Sequence, residues 1–317
     1  MSYPSLFSQK DAYAEMYATR TPEFAAEGRL AGLRPASKDS RKVALVIVDM
    51  QWDFVHPTGS LSVPGSQDDL ARLVDFVYRN ACDITSVYAS LDTHREYQIF
   101  YETWWKYMDA DERPAPFTMI TVNPKGEAVD VISGRRMLPV IDPRWSLGTY
   151  LPQLKANANK DLMIWPYHSM EGSMGHNLMP SLREALTFYS AARLSQINFL
   201  VKGTVPQVEH YGIFAPEVQY PKDPNGGINT AVLDAIATHD LIYVAGEAKS
   251  HCVLETMKQL VGYFRNQPDV VRKIRFLVDC TSSVVHPAVD FEALAKAELK
   301  KMEKLGVQLV TSVDQIG

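Results

Sequence analysis

Cys252 is a candidate nucleophile because of its place in the sequence. It directly precedes a segment in which apolar residues recur at helical spacing between Leu254 and Phe264, so we expect it in the first turn of a helix. There the helix macrodipole favours a thiolate, and free backbone N–H groups can bind an oxyanion. The alternative is that a lone cysteine is a small buried apolar residue, which is our interpretation of Cys82 and Cys280.

A second group of residues has the types and the spacing of metal ligands. Asp92 and His94 lie two positions apart, directly after an apolar run, so an extended backbone points both side chains the same way. A carboxylate and an imidazole can share one cation, and His168 is a candidate third ligand from a separate loop. Two or three protein ligands and a water molecule would form an open metal site. For the Asp-x-His pair alone, a surface aspartate and histidine are the commoner explanation.

Several of these residues follow apolar runs directly. Asp49, Asp92, Lys202, Gly246 and Asp279 each stand at the end of one run. In open α/β sheets, ligands bind outside the carboxyl ends of the strands. The two aspartates and the lysine at successive strand ends therefore predict a site. By itself the lysine is weak evidence, because a lysine at a strand end more often extends its ammonium to solvent.

The elements that would position these residues alternate along the chain. Short apolar runs typical of buried strands lie at 43–48, 84–91, 198–201, 241–245 and 274–278, with a weaker one at 307–310. Helical stretches lie between them at 67–80, 179–192, 229–239, 252–265 and 290–305. This alternation predicts a parallel sheet covered by helices.

Two segments fall outside the alternation. Residues 1–40 predict an irregular N-terminal arm with one short helix, and the rest, 41–317, predicts a single domain. Residues 95–160 are rich in aromatic residues and prolines and predict an insertion in that domain, with a helix first and a long structured loop after it. A connection of that length is usually functional or part of an interface, and the alternative is a decorative insertion on the surface.

The composition excludes several classes of protein. Of the 317 residues, 46% are hydrophobic and 22% charged, which is typical of a globular protein and not of a disordered one. The 32 basic and 37 acidic residues give a net charge of −5, so no basic surface for nucleic acid is expected. No apolar run approaches the ~20 residues of a membrane span. The three widely spaced cysteines and the polar N-terminus predict a cytoplasmic protein without a disulfide framework and without a membrane partner.

Taken together, the ordered motifs resemble the isochorismatase-like cysteine hydrolases, and most closely their nicotinamidase branch. The resemblance rests on the segments at 46–54, 59–65, 90–94, 165–168, 201–204, 246–248 and 251–253, which read VIVDMQWDF, GSLSVPG, SLDTH, WPYH, VKGT, GEA and HCV. It implies a three-layer α/β/α fold with a mostly parallel sheet of about six strands. It also implies a homo-oligomer, because members of the family are commonly oligomeric.

The resemblance implies a catalytic triad of Asp49, Lys202 and Cys252. In this family the aspartate is the general base towards the cysteine, and the lysine supports the charged pair. The thiolate attacks a carboxamide carbon, ammonia leaves, and water releases the acid from the thioester. Such a scheme requires base and nucleophile to lie within hydrogen-bond reach of one another.

Features of the turn before the nucleophile are implied as well. The backbone N–H groups of Cys252 and of His251 or Ala248 would hold the oxyanion. The family often has a non-proline cis peptide in this turn, which here would be the bond Glu247–Ala248.

The same resemblance implies a divalent metal held by Asp92, His94 and His168. Zinc is the common ion, with Mn²⁺ or Fe²⁺ as alternatives, and it would anchor the pyridine nitrogen of the substrate. Aromatic residues near the entrance would contact the substrate ring, and three positions are candidates: Trp52, Tyr211 and Phe214. The last two residues also suit a role in packing core loops.

We therefore expect a metal-assisted cysteine amidohydrolase acting on a small, nicotinamide-like carboxamide. One alternative is hydrolysis of another amide or of an N-carbamoyl compound without a metal. A vinyl-ether hydrolase of the isochorismatase type is less favoured, because that reaction does not need Cys252. A non-catalytic binding protein is also less favoured, because such a protein would normally have lost one residue of the triad.

Overall fold

A six-stranded parallel sheet forms the centre of the protein in the computed structural model, which describes residues 3–158, 160–286 and 289–316. The described residues form these strands: β1 (Val43–Val48), β2 (Ser86–Asp92), β3 (Trp105–Tyr107), β4 (Met119–Val122), β5 (Ala128–Asp130), β6 (Arg136–Pro139), β7 (Leu162–Met163), β8 (Ile197–Lys202), β9 (Leu241–Gly246), β10 (Ile274–Leu277) and β11 (Gln308–Val310). The central sheet has the order β11-β10-β9-β1-β2-β8, and every neighbouring pair is parallel. All six predicted strands are thus confirmed.

Strand β1 shows why a continuous apolar run forms a central strand. Its side chains alternate between the two faces of the sheet. Val43, Leu45 and Ile47 pack into one apolar core, whereas Ala44, Val46 and Val48 pack into a second core on the other face. A strand with both faces buried needs apolar residues at every position.

Helices cover both faces of this sheet, which confirms the predicted three-layer fold. The described residues form these α-helices: α1 (Thr21–Leu30), α2 (Trp52–Val55), α3 (Ser66–Arg79), α4 (Pro143–Trp145), α5 (Leu151–Ala158), α6 (Pro180–Arg193), α7 (Thr230–Ala237), α8 (Leu254–Tyr263), α9 (Pro268–Val271) and α10 (Phe291–Leu305). Helices α1, α3 and α6 contribute to the first core, and α7, α8 and α10 to the second. Among the described helices, none is both long and apolar enough to cross a membrane.

Single helical turns complete the local structure. Tight 3₁₀ turns lie at Gln9–Tyr13, Ala36–Lys38, Glu102–Trp104, Met174–His176 and Pro224–Gly226. Two wider turns directly precede helices: Ser146–Tyr150 leads into α5, and Lys249–Val253 leads into α8. The second of these turns contains Cys252, so the cysteine lies at the start of a helix as predicted.

The expectation of a helix and a long loop in the insertion is wrong. Strands β3 to β7 form a second, antiparallel sheet with the order β3-β6-β5-β4-β7. The first part of the insertion holds only one 3₁₀ turn, Glu102–Trp104, before strand β3. The aromatic residues of the segment, Trp104 and Trp105 among them, fill a third apolar core that also includes Val205 and Val208. The insertion therefore packs against the loop that follows β8.

The N-terminal arm packs against helix α6. Its α-helix α1 places Gly28 so close to α6 that an added Cβ would lie 2.5 Å from the carbonyl oxygen of Phe188. Arg20 pairs with the buried Glu184 on the same helix, with 2.7 Å between Nη2 and Oε2. Close backbone contact and an ion pair thus fix the arm to the domain.

Gly28→Ala tests this packing. On helix propensity alone the change would stabilise the protein by about 0.5–1 kcal/mol. The clash with the backbone of α6 should reverse the sign and lower the free energy of unfolding by about 1–3 kcal/mol, as measured by urea denaturation. Gly148→Ala is the control, because no atom lies within 4 Å of its added Cβ. Equal stability of the two variants would contradict the close approach of α1 to α6.

Candidate active site

The three residues of the predicted triad lie together, although they are far apart in the sequence. The Lys202 Nζ atom is 3.0 Å from Asp49 Oδ2 and 3.7 Å from Cys252 Sγ. Asp49 follows β1, Lys202 ends β8 and Cys252 follows β9. All three side chains are buried, so their charges and protons act in a low-dielectric environment.

Close backbone contact at the end of β9 brings the nucleophile turn to β1. Gly246 has φ of 121°, and an added Cβ would lie 2.0 Å from the carbonyl oxygen of Val48. The next residue, Glu247, donates its N–H to that same carbonyl at 2.9 Å. The peptide bond Glu247–Ala248 is cis, as expected. Only glycine fits at position 246, so this residue allows the turn to reach its place.

Lys202 also connects the triad to the candidate metal ligands. Its ammonium lies 2.7 Å from Asp92 Oδ1 and donates to the carbonyl oxygen of His210 at 3.0 Å. Asp49 is held from the other side by Ser90, whose hydroxyl donates to Oδ1 at 2.5 Å. One buried ammonium is thus shared by two buried carboxylates.

The charges of this group determine its resting protonation state. Burial opposes the charge of Lys202, but Asp49 and Asp92 outweigh that effect and raise its pKa well above the usual value. Burial raises the pKa of Asp49 although Lys202 lowers it. Burial, with Asp49 and Asp92, also raises the pKa of Cys252 well above its usual value, against the effect of Lys202. The resting sulfur is therefore a thiol, contrary to the thiolate expected from the helix position alone.

Asp49 is the candidate acceptor for the thiol proton of Cys252. Asp49 Oδ2 faces Lys202 but accepts no aligned hydrogen bond from the described residues. Hydrogen bonding to Asp49 is among the causes that raise the pKa of Cys252. The carboxylate of Asp49, which is paired with Lys202 through Oδ2, can therefore accept the proton of the thiol.

The three candidate metal ligands form a compact buried cluster. Atoms of Asp92, His94 and His168 that could bind an ion all lie within 4.8 Å of one another. Asp92 Oδ2 is 2.7 Å from His94 Nε2 and 3.5 Å from His168 Nε2. The carboxylate and both Nε2 atoms therefore face one small volume.

The outer nitrogens of both imidazoles fit a metal centre. His94 Nδ1 lies 3.1 Å from the carbonyl oxygen of Gly203, and His168 Nδ1 lies 2.8 Å from that of Pro166. A carbonyl oxygen only accepts, so each Nδ1 carries a hydrogen, and in a neutral ring the Nε2 lone pair is left for an ion. Burial lowers the pKa of His94, which favours the neutral ring. The donor set suits a divalent cation.

A cavity opens onto both groups, since Lys202 and Cys252 of the triad and Asp92 and His168 of the cluster line it. Its lining combines an apolar wall with a few polar side chains: Phe54, Leu61, Val63, Asp92, Trp165, His168, Lys202, Glu209, His210, Tyr211, Ala248, His251, Cys252 and Val284. Of the three aromatic residues proposed from the sequence, Tyr211 lies in this wall. Phe54, Trp165, Glu209 and His210 were missed.

The other two aromatic candidates lie elsewhere. Trp52 is buried in the first core and stacks on His56, with ring centroids 3.8 Å apart. Phe214 packs in the second core and lines a neighbouring cavity. Phe54, two residues after Trp52, lies in the wall instead, with its ring 5.6 Å from that of His168. Trp52 and Phe54 both belong to the motif at 46–54. The motif therefore predicted the correct segment but not which of its two aromatic rings faces the cavity.

The backbone of the turn corrects one expected oxyanion donor. The N–H of His251 donates to the carbonyl of Ala248 at 3.0 Å and is therefore engaged. The N–H of Ala248 donates to no backbone carbonyl of the described residues. Ala248 and Cys252 remain the candidate donors.

Comparisons with known proteins agree with this geometry. No protein-family profile matches the chain. The chain is 21% identical to the nicotinamidase of Saccharomyces cerevisiae over 247 residues, which are 73% of this chain and 93% of the yeast protein. The structure of the yeast nicotinamidase bound to the inhibitor nicotinaldehyde matches with a TM-score of 0.56 and 15% identity, over 85% of this chain and 99% of the yeast chain. A nicotinamidase/pyrazinamidase of Acinetobacter baumannii matches with a TM-score of 0.55 and 16% identity, over 88% and 100% of the two chains.

The chain shares its fold with the yeast and Acinetobacter baumannii nicotinamidases. This finding confirms the resemblance seen in the motifs. The site lies at the carboxyl ends of four strands that are neighbours in the order β9-β1-β2-β8. Cys252, Asp49, Asp92 and Lys202 follow or end these four strands respectively. That edge of a parallel sheet is where α/β folds bind ligands.

The Asp92–His94–His168 cluster generates a prediction about metal content. We expect the purified protein to contain about one divalent ion per chain, as measured by inductively coupled plasma mass spectrometry. His94→Ala and His168→Ala should each lose that ion, because two remaining ligands bind it weakly. His176→Gln is the control, since His176 contacts Thr93 beside the cluster and is not part of it. A folded wild-type protein that binds no divalent ion would contradict the assignment.

Proposed function

We propose that this protein is a metal-assisted cysteine amidohydrolase that converts a small, nicotinamide-like carboxamide into its acid and ammonia. The observation that carries this proposal is the Lys202 ammonium, which lies between Asp49, Cys252 and Asp92 on the wall of one cavity. The nucleophile Cys252 and the candidate metal ligands Asp92 and His168 line this cavity, and Asp49 lies behind Lys202, 3.0 Å from its ammonium. The sequence and fold similarity to nicotinamidases supports this class of substrate.

The chemistry begins with the thiol proton of Cys252. Asp49 accepts it as Sγ attacks the carbonyl carbon of the amide, and the N–H groups of Ala248 and Cys252 stabilise the oxyanion. Asp49 then gives the proton to the amide nitrogen as the C–N bond breaks and ammonia leaves. The product of this half is a thioester on Cys252.

Hydrolysis of the thioester uses the same groups in reverse. Asp49 takes a proton from the attacking water, and the oxyanion returns to the same N–H donors. When the C–S bond breaks, the proton passes to the sulfur and the acid leaves. Lys202 stays charged throughout, because two carboxylates raise its pKa, and it stabilises the negative charge that moves between Asp49 and Cys252.

Asp92, His94 and His168 would hold the metal. When bound, the ion supplies a Lewis acid to which a ring nitrogen or a water molecule can bind. A set of two imidazoles and one carboxylate favours zinc, and Mn²⁺ or Fe²⁺ also accept it. Asp92 keeps one oxygen for Lys202 and presents the other to the histidines, so binding of the ion and charge balance in the triad depend on the same side chain.

A second candidate function is hydrolysis of a more polar amide or an N-carbamoyl compound. Two residues that line the cavity favour it. Oε2 of Glu209 and Nε2 of His210 have no hydrogen-bond partner among the described residues, so both could bind a polar substrate. Burial raises the pKa of Glu209 well above its usual value, so its carboxyl group can donate a hydrogen bond. Burial also lowers the pKa of His210 to about 3, so the ring is neutral.

The expected homo-oligomer, the cytoplasmic location and the division into an arm and one domain stay predictions.

Replacement of the nucleophile tests the proposed reaction. Cys252→Ala should lower ammonia release by more than about a thousandfold, because no other group forms the thioester. The assay is ammonia release from nicotinamide, pyrazinamide, other aryl amides and N-carbamoyl compounds. Cys82→Ala is the control, because Cys82 is exposed and distant from the cavity.

Mass spectrometry of the wild-type protein under turnover should show an acyl adduct on Cys252. Ammonia release that persists in Cys252→Ala would refute the nucleophile assignment. Turnover confined to N-carbamoyl compounds or non-aromatic amides would favour the second candidate function.

A further inference from the structure

Lys160 is a partly buried cation at the end of the insertion, and the proposed reaction does not use it. It lies between helix α5 and strand β7, and only 24% of its side chain is exposed. Its ammonium is 2.9 Å from Glu255 Oε1 and 3.5 Å from Glu217 Oε1. It also lies over the ring of Tyr211, 4.8 Å from the centroid. One side chain of the insertion therefore contacts two other parts of the domain.

Glu217 and Glu255, the two residues paired with Lys160, both lie close in the sequence to residues that line the cavity. Glu255 lies on α8, one helical turn after Cys252. Glu217 lies in the loop after β8, six positions after Tyr211, and its N–H donates to the carbonyl of Glu209 at 3.1 Å. Both carboxylates are largely buried, with 4% of the Glu217 side chain and 13% of the Glu255 side chain exposed.

Tyr211 connects this cation to the cavity wall. Its hydroxyl accepts a hydrogen bond from Trp165 Nε1 at 3.2 Å, and its ring contacts that of His251 with centroids 5.5 Å apart. Trp165 and His251 are themselves in contact, 5.5 Å apart, and all three residues line the cavity. Lys160 thus supports an aromatic wall without being one of the residues that line it.

We propose that Lys160 is a positioning residue through which the insertion holds the aromatic wall for substrate binding; this inference rests on the proposed function. Its charge attracts the Tyr211 ring and neutralises two buried carboxylates that would otherwise repel each other. Removal of the charge leaves Glu217 without its ion-pair partner and Glu255 with Lys258 alone, and the loop that carries Tyr211 moves away from α8. The reacting atoms at Cys252 and Asp49 are not in contact with Lys160, so binding is affected more than chemistry.

Two substitutions separate the charge from the bulk of the side chain. Lys160→Met keeps the length and removes the charge, and we expect it to raise KM about fivefold or more while kcat stays within about twofold. Lys160→Arg keeps the charge and should restore most of the wild-type KM. Lys258→Met is the matched control: it removes another cation, 2.8 Å from Glu255, whose side chain is more exposed than that of Lys160 and for which no contact with the Tyr211 ring is found. Its KM should be that of the wild type.

Hydrogen–deuterium exchange on the full chain gives a readout that needs no turnover. Exchange in residues 203–220 should be faster in Lys160→Met and unchanged in Lys160→Arg and Lys258→Met. An unchanged KM in Lys160→Met overturns the proposal, and so does faster exchange throughout the central sheet, which would indicate a general loss of stability. If the wild-type protein hydrolyses no amide, the proposed function fails. The exchange data then decide separately whether Lys160 holds the wall, and unchanged exchange overturns that as well.

Discussion

The buried ammonium of Lys202 is the interaction on which the site depends. A lysine retains its charge inside a protein only where opposite charges compensate for lost hydration, and here Asp49 and Asp92 do so at 3.0 and 2.7 Å. The same ammonium offsets the repulsion between the two buried carboxylates, Asp49 and Asp92, which would otherwise destabilise this arrangement. It also ties the nucleophile to the candidate metal ligands, since Asp92 offers one oxygen to Lys202 and the other to His94. The order β9-β1-β2-β8 is what brings these strand ends together.

The sheet and the insertion contribute different parts of the site. The carboxyl edge of the central sheet supplies the groups that move protons and form bonds, each fixed by a strand that is buried in the core. The segment after β7 and the loop after β8 supply part of the aromatic wall, where Trp165 and Tyr211 are joined by a hydrogen bond, and Lys160 at the end of the insertion supports it. Chemistry is therefore fixed by the fold, whereas the shape offered to a substrate depends on a segment that packs against that fold. Such a division lets the cavity change without disturbing the charges at its base.

Most of the central fold was predictable because its signals are local. Each of the six central strands is an apolar run in the sequence, and the parallel arrangement follows from the alternation with helices. The insertion was not predictable in this way. Its strands are two to four residues long, too short for a clear alternation, and β4 pairs with β7, which lies about 40 residues further along the chain. In the site, the motif at 46–54 marked a segment with two aromatic rings but could not tell that Phe54 faces the cavity while Trp52 lies in the core.

The sequence by itself determined which residues are present at the strand ends, and therefore that Asp49, Asp92, Lys202 and Cys252 meet at one edge of a sheet. It also determined the candidate metal ligands, because Asp92 and His94 are neighbours on one extended segment. Only the tertiary structure decided the protonation of the sulfur, which burial and two carboxylates keep as a thiol despite its place at a helix start. It alone decided which rings form the wall and that the His251 N–H is already engaged. The physical reason is that dielectric environment, charge separation and cavity shape depend on distances between segments far apart in sequence, which no local pattern contains.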